Sequence, residues 1–164
     1  MKEFKQAQEE SNKSDGNYKV FIPDSSLEKL YLQFTVKSGV YKDQIHILEM
    51  KFRWSHDKQM YPINPPLVTF KTPIWHCNIS RGGAICLDIL RDQPNDPSSQ
   101  WSRLYGIDAI FTSIILLLES PNTKSPLNCD AAHDLLELSQ DKYAKKCSEF
   151  YGTGHCQESS YFKD

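Results

Sequence analysis

The sequence predicts an α+β domain, an antiparallel sheet meander with helices packed on it, and three observations carry that expectation. Apolar residues alternate with polar ones in the first half of the chain, they recur at helical spacing in the second half, and the two regimes do not interleave. The chain of 164 residues, 39% hydrophobic and 12% aromatic, is the size of one domain. A chain of about 150 residues buries roughly 68–70% of its unfolded surface, so it needs no metal or disulfide staple. Nineteen Lys and Arg against 21 Asp and Glu leave a net charge of −2. That balance and the aromatic content argue against disorder, and against nucleic-acid binding, which draws on a surplus of cations.

Residues 1–16 are polar and end in Lys13-Ser14-Asp15-Gly16, marking a segment before the domain, with a short amphipathic helix near the start only weakly supported. The first clear strand places Leu30, Leu32, Phe34 and Val36 on one face, with Tyr31, Gln33, Thr35 and Lys37 on the other. Ser38-Gly39 supplies turn chemistry, and the alternation returns as Leu48, Met50, Phe52 and Trp54 interleaved with Glu49, Lys51 and Arg53. Pro62, Pro65 and Pro66 forbid helix and predict a rigid extended connection over Tyr61–Pro66 into a further strand, Leu67–Phe70. Thr72 to Gln100 is irregular yet keeps apolar residues, and irregular stretches of that length inside a domain tend to be functional. Ile107, Ile110, Phe111, Ile114 and Leu118 fall on one helical face before Pro121. Two shorter helices are predicted over Asp130–Gln140 and Asp141–Tyr151, and Gly152 ends the domain, assigning 17–152 to it and 153–164 to a polar tail.

No apolar h-region opens the chain, and its most apolar window, Ile107–Leu118, falls short of the roughly 20 residues of a membrane span. The five cysteines, 77, 86, 129, 147 and 156, are odd in number and irregular in spacing. They read as thiols in a reducing compartment, cytoplasm or nucleus, and they lack the paired spacing of a zinc site. Cys86 stands apart because it follows the turn Arg81-Gly82-Gly83-Ala84 inside the irregular stretch, and a thiolate is a ready nucleophile. A Cys–His pair is conceivable with His76, His56, His46 or His133, and spacing selects none.

Tyr61-Pro62-Ile63-Asn64-Pro65-Pro66, Ile74-Trp75-His76-Cys77-Asn78-Ile79 and Gly83-Ala84-Ile85-Cys86-Leu87-Asp88-Ile89-Leu90 together resemble the core of ubiquitin-conjugating enzymes. That family carries Tyr-Pro-x-x-Pro-Pro, a His-Pro-Asn tripeptide and a catalytic cysteine eight residues after the Asn, the separation of Asn78 and Cys86. Trp101-Ser102, Ser120-Pro121-Asn122, Ser125-Pro126-Leu127-Asn128 and Ala131-Ala132 follow in the family's order, and the resemblance runs from about residue 20 to 151.

The resemblance implies a four-stranded antiparallel meander flanked by helices, with a helix at the N-terminus. It implies that Cys86 accepts ubiquitin or a ubiquitin-like modifier as a thioester from an activating enzyme and passes it to a lysine of a protein substrate, usually with a ligase. Neither cofactor nor metal is implied. Asn78 is similar to the side chain that stabilises the oxyanion or orders the nearby loop, and His76 to a histidine that ties that loop down. Asp88 and Ser125 match positions beside the lysine's approach. Ile63, Ser102 and Arg103 match a surface that grips ligase domains.

Three residues or segments depart from the family pattern. Cys77 stands where the family has Pro, placing a second thiol near Cys86 and raising the prospect of an oxidation-sensitive pair. The stretch from Pro94 to Gln100 reads as an insert, and Arg103 replaces a common Pro. Tyr18-Lys19-Val20-Phe21-Ile22-Pro23-Asp24 is similar to neddylation-type carriers, whereas Cys86-Leu87-Asp88-Ile89-Leu90 has the form more usual in ubiquitin carriers. Members without the cysteine serve as ubiquitin-binding scaffolds, a reading the presence of Cys86 and Asn78 disfavours.

Overall fold

The computed structural model describes residues 18–23, 28–55, 58–91 and 100–153. Among these described residues six strands come first: β1 Tyr18–Phe21, β2 Lys29–Thr35, β3 Ile45–Lys51, β4 Trp54–Ser55, β5 Lys58–Gln59 and β6 Leu67–Phe70. Three α-helices follow: α1 Ile107–Glu119, α2 Cys129–Glu137 and α3 Gln140–Gly152. Strands β1, β2, β3 and β6 form the main sheet in that spatial order, every pair antiparallel, while β4 and β5 form a small hairpin. This is the expected α+β meander.

Register puts the apolar set on one face. Leu30 pairs with Met50, Leu32 with Leu48 and Phe34 with His46, and β6 extends the rows with Val68 opposite Met50 and Phe70 opposite Leu48. Directly paired residues share a face, so one sheet surface is almost wholly apolar. Helix α1 lies over it, burying Ile107, Ile110, Ile114 and Leu118 and setting Phe111 edge-on to Phe34 at 5.3 Å between ring centroids. Tyr18 of β1 donates a hydrogen bond to Asp108 of the same helix. On the opposite face Glu49 is buried beside Tyr31 Oη at 3.1 Å, with Lys51 at 3.2 Å and Lys71 at 3.8 Å. Burial would raise its carboxyl, but the Lys51 and Tyr31 hydrogen bonds and the two ammonium charges outweigh that and hold it below the ordinary range.

Three boundaries differ from the sequence expectation. Strand β3 begins earlier and ends earlier than the alternation Leu48–Trp54 suggested, because β2 starts at Lys29 and leaves no partner beyond Lys51. Phe52 nevertheless stays buried, edge-on to Tyr61 at 5.1 Å, so the apolar pattern outlasts the ladder. The Tyr61–Pro66 connection is not extended throughout. A turn follows the cis Tyr61-Pro62 peptide, closed by Asn64 N–H to the Met60 carbonyl at 2.9 Å, since the fixed φ of proline serves a turn as well as a strand. Helix α2 stops at Glu137, three residues short of the expected end. The segment 1–16, its expected helix, the tail from 154 and most of the 94–100 stretch lie outside the described residues.

His46 escaped the apolar pattern, yet it sits on the core face, wholly buried, with Nδ1 2.9 Å from Thr72 Oγ1. Phe34, Phe70 and Tyr151 surround its ring at centroid distances of 5.8, 5.6 and 5.3 Å. Burial lowers its pKa to about 3, and His76 falls to about 4 for the same reason. Between pH 6.5 and these values the unfolded chain takes up protons that the folded chain refuses. Stability is therefore full above pH 6.5 and declines as pH falls, by up to about 1.4 kcal/mol per pH unit per histidine. Urea midpoints measured from pH 7.5 to 5 should drop steadily, and His46→Gln should flatten that slope. An unchanged midpoint across the range would contradict the buried neutral state.

Candidate active site

The irregular stretch is built on a tight turn. Ser80 N–H meets the Ala84 carbonyl and Gly83 N–H the Ser80 carbonyl, both at 2.9 Å, while Ser80 Oγ accepts from Ala84 N–H at 3.0 Å. Gly83 has φ of 85°, and its carbonyl accepts from Phe70 N–H at 2.9 Å, which docks the turn on the end of β6. Beyond the turn Ile79 and Ile85 bridge antiparallel, and Cys86 N–H donates to the Asn78 carbonyl at 2.9 Å. The eight-residue separation of Asn78 and Cys86 thus closes a short hairpin that sets the two side by side.

His76, Cys77 and Asn78 are buried and their polar atoms are engaged. His76 Nδ1 accepts from Asn78 N–H at 3.0 Å, so Nε2 carries the proton and donates to the Leu117 carbonyl near the end of α1 at 3.1 Å. Its burial and low pKa leave it neutral, with neither nitrogen open to a substrate proton. Asn78 Nδ2 donates to the Asn122 carbonyl at 2.8 Å and the Ser125 carbonyl at 3.3 Å. Its Oδ1 accepts from Asn122 N–H at 2.8 Å and from the Cys77 thiol at 3.2 Å. The Cys77 carbonyl takes N–H groups of Leu127 and Asn128 at 2.8 and 2.9 Å, and Asn128 Oδ1 caps α2 through Ala131 N–H.

Cys86 is half-buried at the wall of a cavity of about 530 Å³, lined also by Arg53, Leu87, Leu90, Arg91 and Leu127. Asp88 opens a 3-10 turn over Asp88–Leu90 and pairs through Oδ1 with Arg91 Nε at 3.2 Å. Arg91 Nη2 lies 3.7 Å from Cys86 Sγ. Ser125 lies exposed in the loop that Asn78 holds, so His76, Asn78, Cys86, Asp88 and Ser125 come from one continuous neighbourhood. His46 is bonded to Thr72 in the sheet core, His133 is exposed on α2, and His56 lies outside the described residues. Cys77 is buried with its thiol donating to Asn78 Oδ1, and burial pushes that thiol up. Among the described residues no group of three or more His, Cys, Asp or Glu is placed to hold a metal ion, and no helix is long and apolar enough to cross a membrane.

Ile63, Ser102 and Arg103 form a second patch. Trp101 Nε1 donates to the Pro62 and Ile63 carbonyls, both at 3.1 Å, and Tyr61 Oη to the Tyr105 carbonyl at 3.3 Å, which clamps the two loops together. Ile63 is 68% exposed and Leu104 87%. Leu104 and Arg91 were not singled out from the sequence. The Asp88-x-x-Arg91 spacing, which pairs the two across one 3-10 turn, was the available signal for Arg91.

The site is thus a half-buried thiol on a hairpin, braced by the hydrogen bonds of His76 and Asn78, and neither ring nitrogen of His76 is open to pair with it. The family model described as ubiquitin-conjugating enzyme matches residues 1–151, and the chain belongs to that family. It is 38% identical over 96 residues to ubiquitin-conjugating enzyme E2 13 of Arabidopsis thaliana, covering 55% of this chain and 57% of that relative. It is 37% identical over 111 residues to ubiquitin-conjugating enzyme E2-20 kDa of Schizosaccharomyces pombe, covering 68% of this chain and 58% of the relative. The matches therefore span a little over half the length of these curated relatives.

The turn makes one position intolerant. A Cβ on Gly83 would stand 2.0 Å from the Phe70 carbonyl oxygen, in a backbone conformation L-residues rarely adopt. On Gly82 it would meet only Ser80 Oγ at 3.8 Å. Gly83→Ala should cost about 2 kcal/mol or more, and Gly82→Ala less than about 0.5 kcal/mol, in urea denaturation. Equal midpoints for the two variants would refute the close approach.

Proposed function

We propose that this chain carries ubiquitin as a thioester on Cys86, taken from an activating enzyme, and transfers it to a lysine of a protein substrate with the help of a ligase. The observation that carries the proposal is the half-buried Cys86 at an open cavity, on a hairpin whose other strand is locked by His76 and Asn78. In the transfer the lysine amine attacks the thioester carbonyl carbon and forms the C–N bond. The carbon–sulfur bond breaks, the electron pair leaves on Sγ, and the amine proton passes to solvent. Asn78 and His76 order the loop in this scheme, because their polar atoms are already engaged with it. Asp88 and Ser125 flank the amine's approach, and Ile63, Ser102 and Arg103 meet the ligase. The relatives, ubiquitin-conjugating enzymes by name, support ubiquitin as the modifier, while the Tyr18–Asp24 segment keeps a neddylation-type modifier as the second reading.

A charging assay separates these. With ATP and the matching activating enzyme, an adduct cleaved by thiol should form in the ubiquitin lane and vanish in Cys86→Ala. An adduct only with the neddylation modifier would reassign the modifier. None in either lane, from folded protein, would turn the reading to a binding scaffold.

A further inference from the structure

The knot that rigidifies the site also removes its most obvious donor. Both Nδ2 hydrogens of Asn78 go to loop carbonyls, at 2.8 and 3.3 Å, and His76 Nε2 goes to Leu117. These donors are already committed to the loop and to α1. Among the described residues the donor that reaches the sulfur is Arg91, with Nη2 3.7 Å from Sγ. Its guanidinium is not a loose surface group. Nε is held by Asp88 Oδ1 at 3.2 Å, the Asp88 turn is fixed by Leu90 N–H to the Leu87 carbonyl at 3.0 Å, and Gln100 N–H binds the Asp88 carbonyl at 3.1 Å. A planar guanidinium held at Nε offers its Nη groups over a narrower range of directions than a flexible ammonium would. Here Nη2 lies toward the thiol, at the wall of the same cavity.

We propose that Arg91 is a catalytic residue of the transfer, donating a charge-assisted hydrogen bond to Cys86 Sγ as the thioester breaks down. This rests on the carrier reading of Cys86. Amine attack forms the C–N bond and sends the carbonyl π pair to oxygen. Collapse restores C=O and expels sulfur with the bonding pair, and the Arg91 guanidinium faces the negative charge that arrives on Sγ. The amine's proton is lost to solvent, and a solvent proton later restores the thiol. Asp88 acts through Arg91 here as a positioning residue, holding the fork by its Nε.

Such a donor has a chemical signature that folding does not imitate. Expulsion of sulfur limits the rate when the attacking amine is a weaker base than the leaving thiolate, and attack limits it when the amine is stronger. In single-turnover discharge of purified charged protein, Arg91→Gln should slow transfer to trifluoroethylamine by roughly tenfold or more, and to free lysine by much less. Arg91→Lys, which keeps the charge and loses the fork, should fall between wild type and Arg91→Gln. Equal slowing for both amines would assign Arg91 a structural role and overturn the proposal, as would wild-type rates in Arg91→Gln. Failure of the wild-type protein to charge at all would instead remove the carrier reading, and this proposal with it.

Discussion

Much of this molecule depends on the side-chain amide of Asn78. It has two hydrogens and one oxygen, and the structure spends all of them on fixing a loop: two donated bonds to carbonyls of Asn122 and Ser125, one accepted from Asn122 N–H, and one from the Cys77 thiol. A buried amide left unpaired is costly, so a fully satisfied one permits only a narrow set of arrangements around it. The consequences run outward. The backbone of Asn78 fixes Cys86 through its carbonyl, its N–H fixes the tautomer of His76, and His76 in turn reaches the Leu117 carbonyl on α1. Hairpin, loop and helix are thereby held in one frame although none of them shares a ladder with the others.

Three residues before Asn78 the backbone plays the same role with different chemistry. The Trp75 carbonyl receives Tyr41 Oη at 2.7 Å, Tyr143 Oη at 3.3 Å and the Cys147 thiol at 3.6 Å, joining the 3-10 turn Gly39–Tyr41 and helix α3 to the active segment. The Trp75 indole donates to Asp134 of α2 at 2.9 Å, and Lys146 of α3 lies 4.8 Å from its ring centroid. Cys77 fits this frame without loss. The carbonyl that anchors Leu127 and Asn128 is one a proline would offer equally, and the small thiol fills buried space while adding a donor to Asn78. That is a physical reason for the family's proline to be dispensable at this position.

The sheet rows and α1 were legible because burial there follows a period, two along Leu30–Phe34 and 3.6 along Ile107–Leu118. Cys86 and Asn78 were legible from motif spacing, whose structural content is the hairpin that joins them. What periodicity missed has a common cause. His46 is polar in type but apolar in position, Tyr18–Phe21 is too short to show a period, and the turn at Tyr61–Asn64 hides behind prolines that suit two conformations. Arg91 escaped because its place beside the sulfur comes from its pairing with Asp88, which no single-residue property records.

The saturated knot and the exposed patch are connected by covalent neighbours and hydrogen bonds. Trp101 grips the Ile63 carbonyl, its neighbour Gln100 donates to the Asp88 carbonyl, and Asp88 holds the guanidinium that faces Cys86. Ile63 and Leu104 stand exposed on that patch. Contiguity alone transmits nothing, since coupling needs an element with two arrangements that a partner can bias. At His76 and Asn78 themselves no such freedom is visible, because the polar side-chain atoms of both are committed. The Asp88–Leu90 turn differs: it is short and partly exposed, and among the described residues the Asp88–Arg91 pair and a few backbone bonds hold it. Any influence of the loop patch on the sulfur would therefore act by tightening or releasing that turn, and so by aiming Arg91, while the Asn78 frame stays fixed.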